Sequence, residues 1–255
     1  MSESVIYCEG YHDRAFWTGW LKHLGCVDPG LPPPGRSGRN PIFDPWNARV
    51  VAGQFAFHSA SGLFIRVFPC GGKNNILREA RLRLADRGSK TLARLVINID
   101  SDVTTSGAKA GPSGLQVHDV VNLVRAFDAG AAPSAANEID LDGGATKVSL
   151  LRWEASDPPA PGLPDQQTLE RLACAAIIAA YPARAAAVQS WLHGRPIPPK
   201  RDPKEHAWSY MAGWYAESGC DFFYSNLWND PQIAAELETR LQAFGAWRIA
   251  TTLAS

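Results

Sequence analysis

The sequence has no excess charge of either sign: 25 Lys and Arg are matched by 25 Asp and Glu among 255 residues. That excludes a strongly basic protein that coats nucleic acid through its net field, while a local basic patch stays possible. No apolar run approaches the ~18–20 residues of a membrane span, so no membrane partner is expected. The five cysteines (Cys8, Cys26, Cys70, Cys174, Cys220) are odd in number and widely spaced, with no Cys-x-x-Cys pair. This argues against a disulfide framework or zinc ribbon and for a reducing cytoplasmic setting. The six histidines form no His-x-x-x-His pair and no Cys/His cluster, which argues against a zinc site. No Gly-x-x-x-x-Gly-Lys-Ser/Thr loop is present; Cys70-Gly71-Gly72-Lys73-Asn74 lacks the spacing and the hydroxyl. Met1 to Ser4 leads straight into a β-rich run, so no signal peptide is expected.

What is present is an ordinary globular composition, 45% hydrophobic and 20% charged. Nine tryptophans are expected chiefly in the core; those at 191, 208, 214, 228 and 247 lie at helix-compatible positions. Val5-Ile6-Tyr7-Cys8 reads as a buried strand stopped by Glu9-Gly10. Asp13 stands where an N-cap or first-turn acid belongs, and Ala15, Phe16, Trp17, Trp20, Leu21 and Leu24 follow at helical spacing. Residues 27–47, rich in Pro and Gly, read as a long loop without packed elements. Leu63 to Phe68 is a second strand, followed by a helix that Asn74 and Asn75 can cap. Leu95 to Ile99 is a third strand, ending in Asp100-Ser101-Asp102. A Gly/Ser/Thr/Lys loop over 103–114 precedes a helix from Leu115 to Phe127, and Val148 to Trp153 is a fourth strand.

Strands alternating with helices predict an α/β, Rossmann-like fold: a mostly parallel sheet flanked by helices. A proline-rich connector at 158–164 leads to helical segments near 166–180, 183–192, 204–217 and 230–243. The division expected is an α/β domain over 1–155 and a helical extension over 156–255 packed on it.

Ligands bind parallel α/β sheets at the carboxyl ends of the strands. Glu9, Asp100 and Asp102 fall on that edge. In an extended chain, Asp-x-Asp turns two carboxylates the same way while Ser101 faces elsewhere. Oxygen-only ligands suit Mg²⁺ or Mn²⁺, and a third carboxylate can complete the site or act as general acid/base. The same acids are also common turn and capping chemistry. Gly71 and Gly72 let the backbone approach a ligand closely, and Lys73 at a helix start can counter a phosphate; a solvated lysine in a glycine turn is the plain alternative. Arg36, Arg39, Lys109, Lys200, Arg201 and Lys204 could contact a nucleic-acid backbone or serve only as solvated charge.

Strand–Glu9-Gly10-x-x-Asp13, then Gly71-Gly72-Lys73, then Val96-Ile97-Asn98-Ile99-Asp100-x-Asp102 resembles a TOPRIM domain, the catalytic module of topoisomerases, primases, OLD-family nucleases and small RNA-processing nucleases. The motifs span residues 5–102, and the αβ pattern carries the likeness to about 153. Leu163-Pro164-Asp165, Leu169-Glu170, Tyr181-Pro182 and Pro203 to Trp208 are similar to small, uncharacterised TOPRIM-like bacterial proteins. The resemblance implies phosphoryl chemistry, with Glu9 as general acid/base, Asp100 and Asp102 as Mg²⁺ ligands and Asp13 as a structural or supporting acid. It also implies nucleic acid (DNA or RNA) or a nucleotide as partner. No tyrosine is marked out as a topoisomerase nucleophile. Three readings stand at this point: a Mg²⁺-dependent nuclease, a non-catalytic module that binds a nucleotide or protein, and a scaffold in which Asp-x-Asp is only a turn.

Overall fold

The computed structural model describes residues 3–28, 41–44, 49–52, 55–88, 91–104, 115–194, 203–215 and 220–255. The strands are β1 (Glu3–Cys8), β2 (Pro41–Asp44), β3 (Arg49–Ala52), β4 (Phe55–His58), β5 (Phe64–Pro69), β6 (Leu92–Asp100), β7 (Ala132–Ala135), β8 (Glu138–Leu141) and β9 (Thr146–Trp153). The helices are α1 (Tyr11–His23), α2 (Lys73–Ala85), α3 (Val117–Arg125), α4 (Leu169–Ala180), α5 (Pro182–His193), α6 (Pro203–Tyr215), α7 (Cys220–Asn226), α8 (Pro231–Ala243) and α9 (Ala246–Ala254). The chain divides into two compact units. The first comprises 1–99, 115–152 and 248–255; the second comprises 100–114 and 153–247. The Asp-x-Asp pair therefore belongs with the helical unit, and most of the last helix belongs with the sheet.

The first unit is a seven-stranded mixed sheet in the order β4-β5-β1-β6-β9-β8-β7. At its centre β1 pairs in parallel with β5 and β6. The β6 and β9 side-chain bonds climb both strands together: Thr146 to the Leu92 carbonyl, Arg94 to Ser149, Asn98 to the Leu151 carbonyl. These two strands thus run the same way. β4 and β8 run against their neighbours, and β7 runs against β8. The four strands expected from the sequence are all here, and the Rossmann-like α/β architecture holds.

Strand alternation sorts the two faces. Val5, Tyr7, Leu95, Ile97 and Ile99 point to one face, where they meet Ile76, Ala80 and Leu84 of α2 and Val120, Leu123 and Val124 of α3. Asn98 points to the other face. There its Oδ1 accepts a 2.8 Å bond from Trp17 Nε1, which locates α1 on that side. Trp17 and Trp20 stack with centroids 4.7 Å apart and are fully buried.

Two local expectations change. Pro41–Asp44 and Arg49–Ala52 pair as an antiparallel hairpin, so the region read as loop over 27–47 carries a strand at its end. Proline is tolerated there because the first residue of a strand need not donate to a ladder. The second helix starts at Lys73 with Gly72 as N-cap, which offers no side-chain cap. Asn75 instead donates from Nδ2 to the carbonyls of Cys70 and Gly71, at 3.0 and 3.1 Å.

The second unit is built on α4. Its sequence, LERLACAAIIAA, is apolar nearly all round, and every residue from Leu169 to Ile177 is buried, as expected of a helix covered by neighbours. α5, α6 and α8 pack against it. The preceding connector is ordered by two arginines. Buried Arg171 donates to the carbonyls of Ala155, Asp157 and Pro164. Arg240 forks onto Asp157 at 2.6 and 3.0 Å.

Candidate functional site

In the first unit the sequence-marked residues gather at the end of β1. That strand is wholly buried, so the chain must leave the sheet at Glu9, the first half-exposed position. Gly10 is the N-cap of α1, and Asp13 reaches back to accept a 2.8 Å bond from its N–H. Asp13 is buried and caps the helix, which makes its role here structural. The β1–β5 pairing continues beyond the strands: Cys70 N–H donates to the Cys8 carbonyl and Gly72 N–H to the Glu9 carbonyl, each at 2.9 Å. This stitches the Gly71-Gly72-Lys73 loop directly to Glu9. Gly71 (φ 71°) and Gly72 (φ 115°) occupy backbone conformations that side chains resist. Lys73 Nζ lies 3.9 Å from Glu9 Oε2, both side chains partly covered.

Helix α2 begins with no acid in its first turn and with a lysine as its first residue. A cation there opposes the helix dipole, by ~0.3–1 kcal/mol. Glu9 offsets part of that charge; an anion on the loop would offset more.

Burial disfavours the thiolate form of the thiols beside this loop. Burial pushes the Cys8 thiol well up, with Asp13 adding to the effect. Burial, with Glu79, pushes Cys70 up as well. Cys8, Cys26, Cys70 and Cys174 are all free thiols. Burial also raises the Tyr7 and Tyr210 phenols, so both stay protonated near neutrality.

In the second unit Asp100 and Asp102 begin a loop held against the segment before α4. Asp100 Oδ1 accepts a 3.0 Å bond from the Leu169 N–H. Asp102 N–H donates to the Gln167 carbonyl at 3.1 Å, and Gln167 N–H to the Val103 carbonyl at 2.9 Å. Thr104 bridges to Gln166. Asp102 has φ 56°, a left-handed conformation. The extended alternation expected for Asp-x-Asp therefore stops at Asp100, the last residue of β6. The sequence pattern did not reveal that a helix start, 69 residues on, would claim one oxygen of Asp100.

Among the described residues no group of three or more His, Cys, Asp or Glu side chains is arranged to hold a metal. Mg²⁺ does not require three: it keeps several waters and commonly takes one or two carboxylates plus substrate phosphate. The half-exposed, oxygen-only Asp100 and Asp102 fit that chemistry. Arg36, Arg39, Lys109, Lys200 and Arg201 lie outside the described residues, and Lys204 is exposed. Trp228 is buried as expected, but Trp191 and Trp208 are 58% and 48% exposed.

No protein-family model matches the chain, and no curated protein matches it. One solved fold does. A crystal structure of a hypothetical protein from Pyrococcus horikoshii OT3 aligns over 100% of both chains with a TM-score of 0.67 at 14% identity. At that identity the likeness is one of fold.

Proposed function

We propose that this protein is a Mg²⁺-dependent phosphodiesterase acting on nucleic acid, with Glu9, Asp100 and Asp102 at its centre and Gly71, Gly72 and Lys73 holding a phosphate. The observation that carries the reading is strand order. β1 and β6 are parallel neighbours with Cys8 opposite Asn98, and β5 lies on the other side of β1. Glu9, the Gly-Gly-Lys loop and the Asp-x-Asp pair thus follow the carboxyl ends of three adjacent strands, the edge where such sheets bind ligands. The TOPRIM resemblance assigns the same residues.

In this reading Asp100 and Asp102 would hold the cation, which when bound would offset charge on the phosphoryl oxygens. Lys73 and the first N–H groups of α2 orient a neighbouring phosphate. Glu9 takes a proton from the attacking water or gives one to the leaving oxygen. Lys73 Nζ, 3.9 Å from Glu9 Oε2, places a positive charge beside that carboxylate. The test is cleavage of DNA and RNA with Mg²⁺ or Mn²⁺. Activity that survives Asp100→Ala and Asp102→Ala removes the proposal.

The second reading is a non-catalytic module that binds a nucleotide or a protein. What favours it is that Asp100 already serves α4 and Glu9 already faces Lys73. Tight nucleotide binding without turnover would select it.

A further inference from the structure

We infer that the first turn of α4 is a positioning device for Asp100, acting through the main-chain N–H of Leu169; the inference rests on the metal-dependent reading above. Thr168 is the N-cap of α4, and its hydroxyl accepts from the Arg171 N–H. The helix therefore has its local cap. The Leu169 amide, at the first helical position, goes instead to the Asp100 carboxylate at 3.0 Å. A charge-assisted bond of this kind fixes the carboxylate torsion.

The rest of the loop is clamped from the same segment. Gln167 holds it with main-chain bonds to Asp102 and Val103. Its side chain pairs with the main chain of Ala155, accepting from the N–H at 2.8 Å and donating to the carbonyl at 3.0 Å. Gln167 is thereby fixed at both ends, and the left-handed Asp102 is held between the two main-chain bonds. The carboxylate of Asp100 is ordered before any ion arrives, so less ordering is left to oppose binding. Outer-shell partners of ligating carboxylates typically contribute 10–100-fold to metal affinity.

One substitution isolates the N–H. Leu169→Pro deletes this donor at the helix position where proline is best tolerated. Thr168, at φ −136° and ψ 171°, already has the extended backbone that a residue before proline requires. Leu169→Ala is the control: it loses the buried side chain but keeps the donor. The full-length variants are titrated with Mn²⁺ alone by calorimetry, and their melting temperatures are compared.

The expected result is wild-type Mn²⁺ affinity in Leu169→Ala and affinity weakened at least about tenfold in Leu169→Pro, at similar melting temperatures. Equal affinity in the two variants overturns the inference. A second measurement needs no folded proline variant: Mg²⁺ should slow hydrogen exchange of the Leu169 amide in the wild-type protein, by linkage. Unchanged exchange at saturating Mg²⁺ also overturns it. The control for the underlying reading is Asp100→Asn, which keeps an oxygen to accept the Leu169 N–H. If the wild-type protein binds no Mn²⁺, or Asp100→Asn binds it equally, the metal reading fails and this inference with it. If Asp100→Asn abolishes binding while Leu169→Pro matches Leu169→Ala, only this inference fails.

Discussion

Replacing Glu138 by Gln removes one charge from a buried ion network without changing its shape. Glu138 in β8 is 3% exposed. Its Oε1 accepts from Arg94 at 2.5 Å and from Ser149 at 3.3 Å, and its Oε2 accepts from Arg248 of α9 at 2.9 Å. Arg94 is itself buried, whereas the Arg248 side chain is 52% exposed. The exposed pair contributes little. Stranding buried Arg94 dominates, and removing one partner of a buried pair typically costs about 3–5 kcal/mol. Glu138→Gln keeps a carbonyl acceptor, so we expect about 3 kcal/mol, read by urea denaturation at neutral pH. A cost under about 1 kcal/mol refutes the argument. So does the pair Glu138→Leu with Arg94→Met if it is no more stable than Glu138→Gln, since an apolar pair leaves no charge stranded. Burial alone would raise the Glu138 carboxyl, but the bonds from Arg94 and Arg248 outweigh it and hold the group below its ordinary range. Its stabilisation is therefore present above the unfolded value of about 4.3. It is lost as pH falls through the native value, so the gap between the wild-type and Glu138→Gln proteins should narrow below about pH 4.

Two glycines separate backbone strain from crowding. Gly162→Ala places a Cβ 2.6 Å from Gln189 Cγ and 2.9 Å from Tyr210 Oη at φ 76°, while Gly72→Ala meets nothing within 4 Å at φ 115°. The first should cost the usual ~1–3 kcal/mol of strain plus overpacking of similar size, the second strain alone; a Gly72→Ala cost equal to or above that of Gly162→Ala contradicts this. Asp230 caps α8 through the N–H groups of Gln232 and Ile233 and accepts from the Tyr181 hydroxyl at 2.8 Å. Asp230→Ala should cost about 1–2 kcal/mol and Asp230→Asn much less; equal thermal melts for the two would count against the cap.

The central sheet was legible because its strands are short, mostly apolar runs rich in β-branched residues, interrupted only by single polar residues such as Asn98 and Ser149. Val5 to Cys8, Leu95 to Ile99 and Val148 to Trp153 each end in a polar or turn residue that marks where the sheet stops. The edges were not legible. β7 is Ala-Pro-Ser-Ala, exposed throughout, and β8 is four residues long and carries buried Glu138. β7 shows no hydrophobic period, and the alternation of Ile139 and Leu141 in β8 is too short to mark a strand; β7 is held by pairing to β8, and β8 by pairing to β9 and the ion network. The helical segments past residue 166 were found within a few residues, since apolar spacing and flanking prolines bracket them. α7 and α9 were missed: α7 is seven residues long, and α9, although Ile249, Ala250 and Leu253 are buried, is only nine.

For the site, the sequence marked the acids and the glycine loop but not their partners. That Asp13 caps α1 followed from spacing. The bonds from Leu169 and Gln167 to the Asp-x-Asp loop join segments more than sixty residues apart, and no local pattern encodes such a pairing. Exposure of Trp191 and Trp208 was hidden for a related reason: helical spacing says which residues share a face, not which face is covered.

The account turns on whether the acids at the strand ends hold a divalent cation. Calorimetric titration of the full-length protein with Mn²⁺, set against the Asp100→Asn, Asp102→Asn double variant, asks this directly. We predict a saturable site in the wild-type protein that the double variant lacks at an unchanged melting temperature. No binding by the wild-type protein, or equal binding by both, would contradict the account.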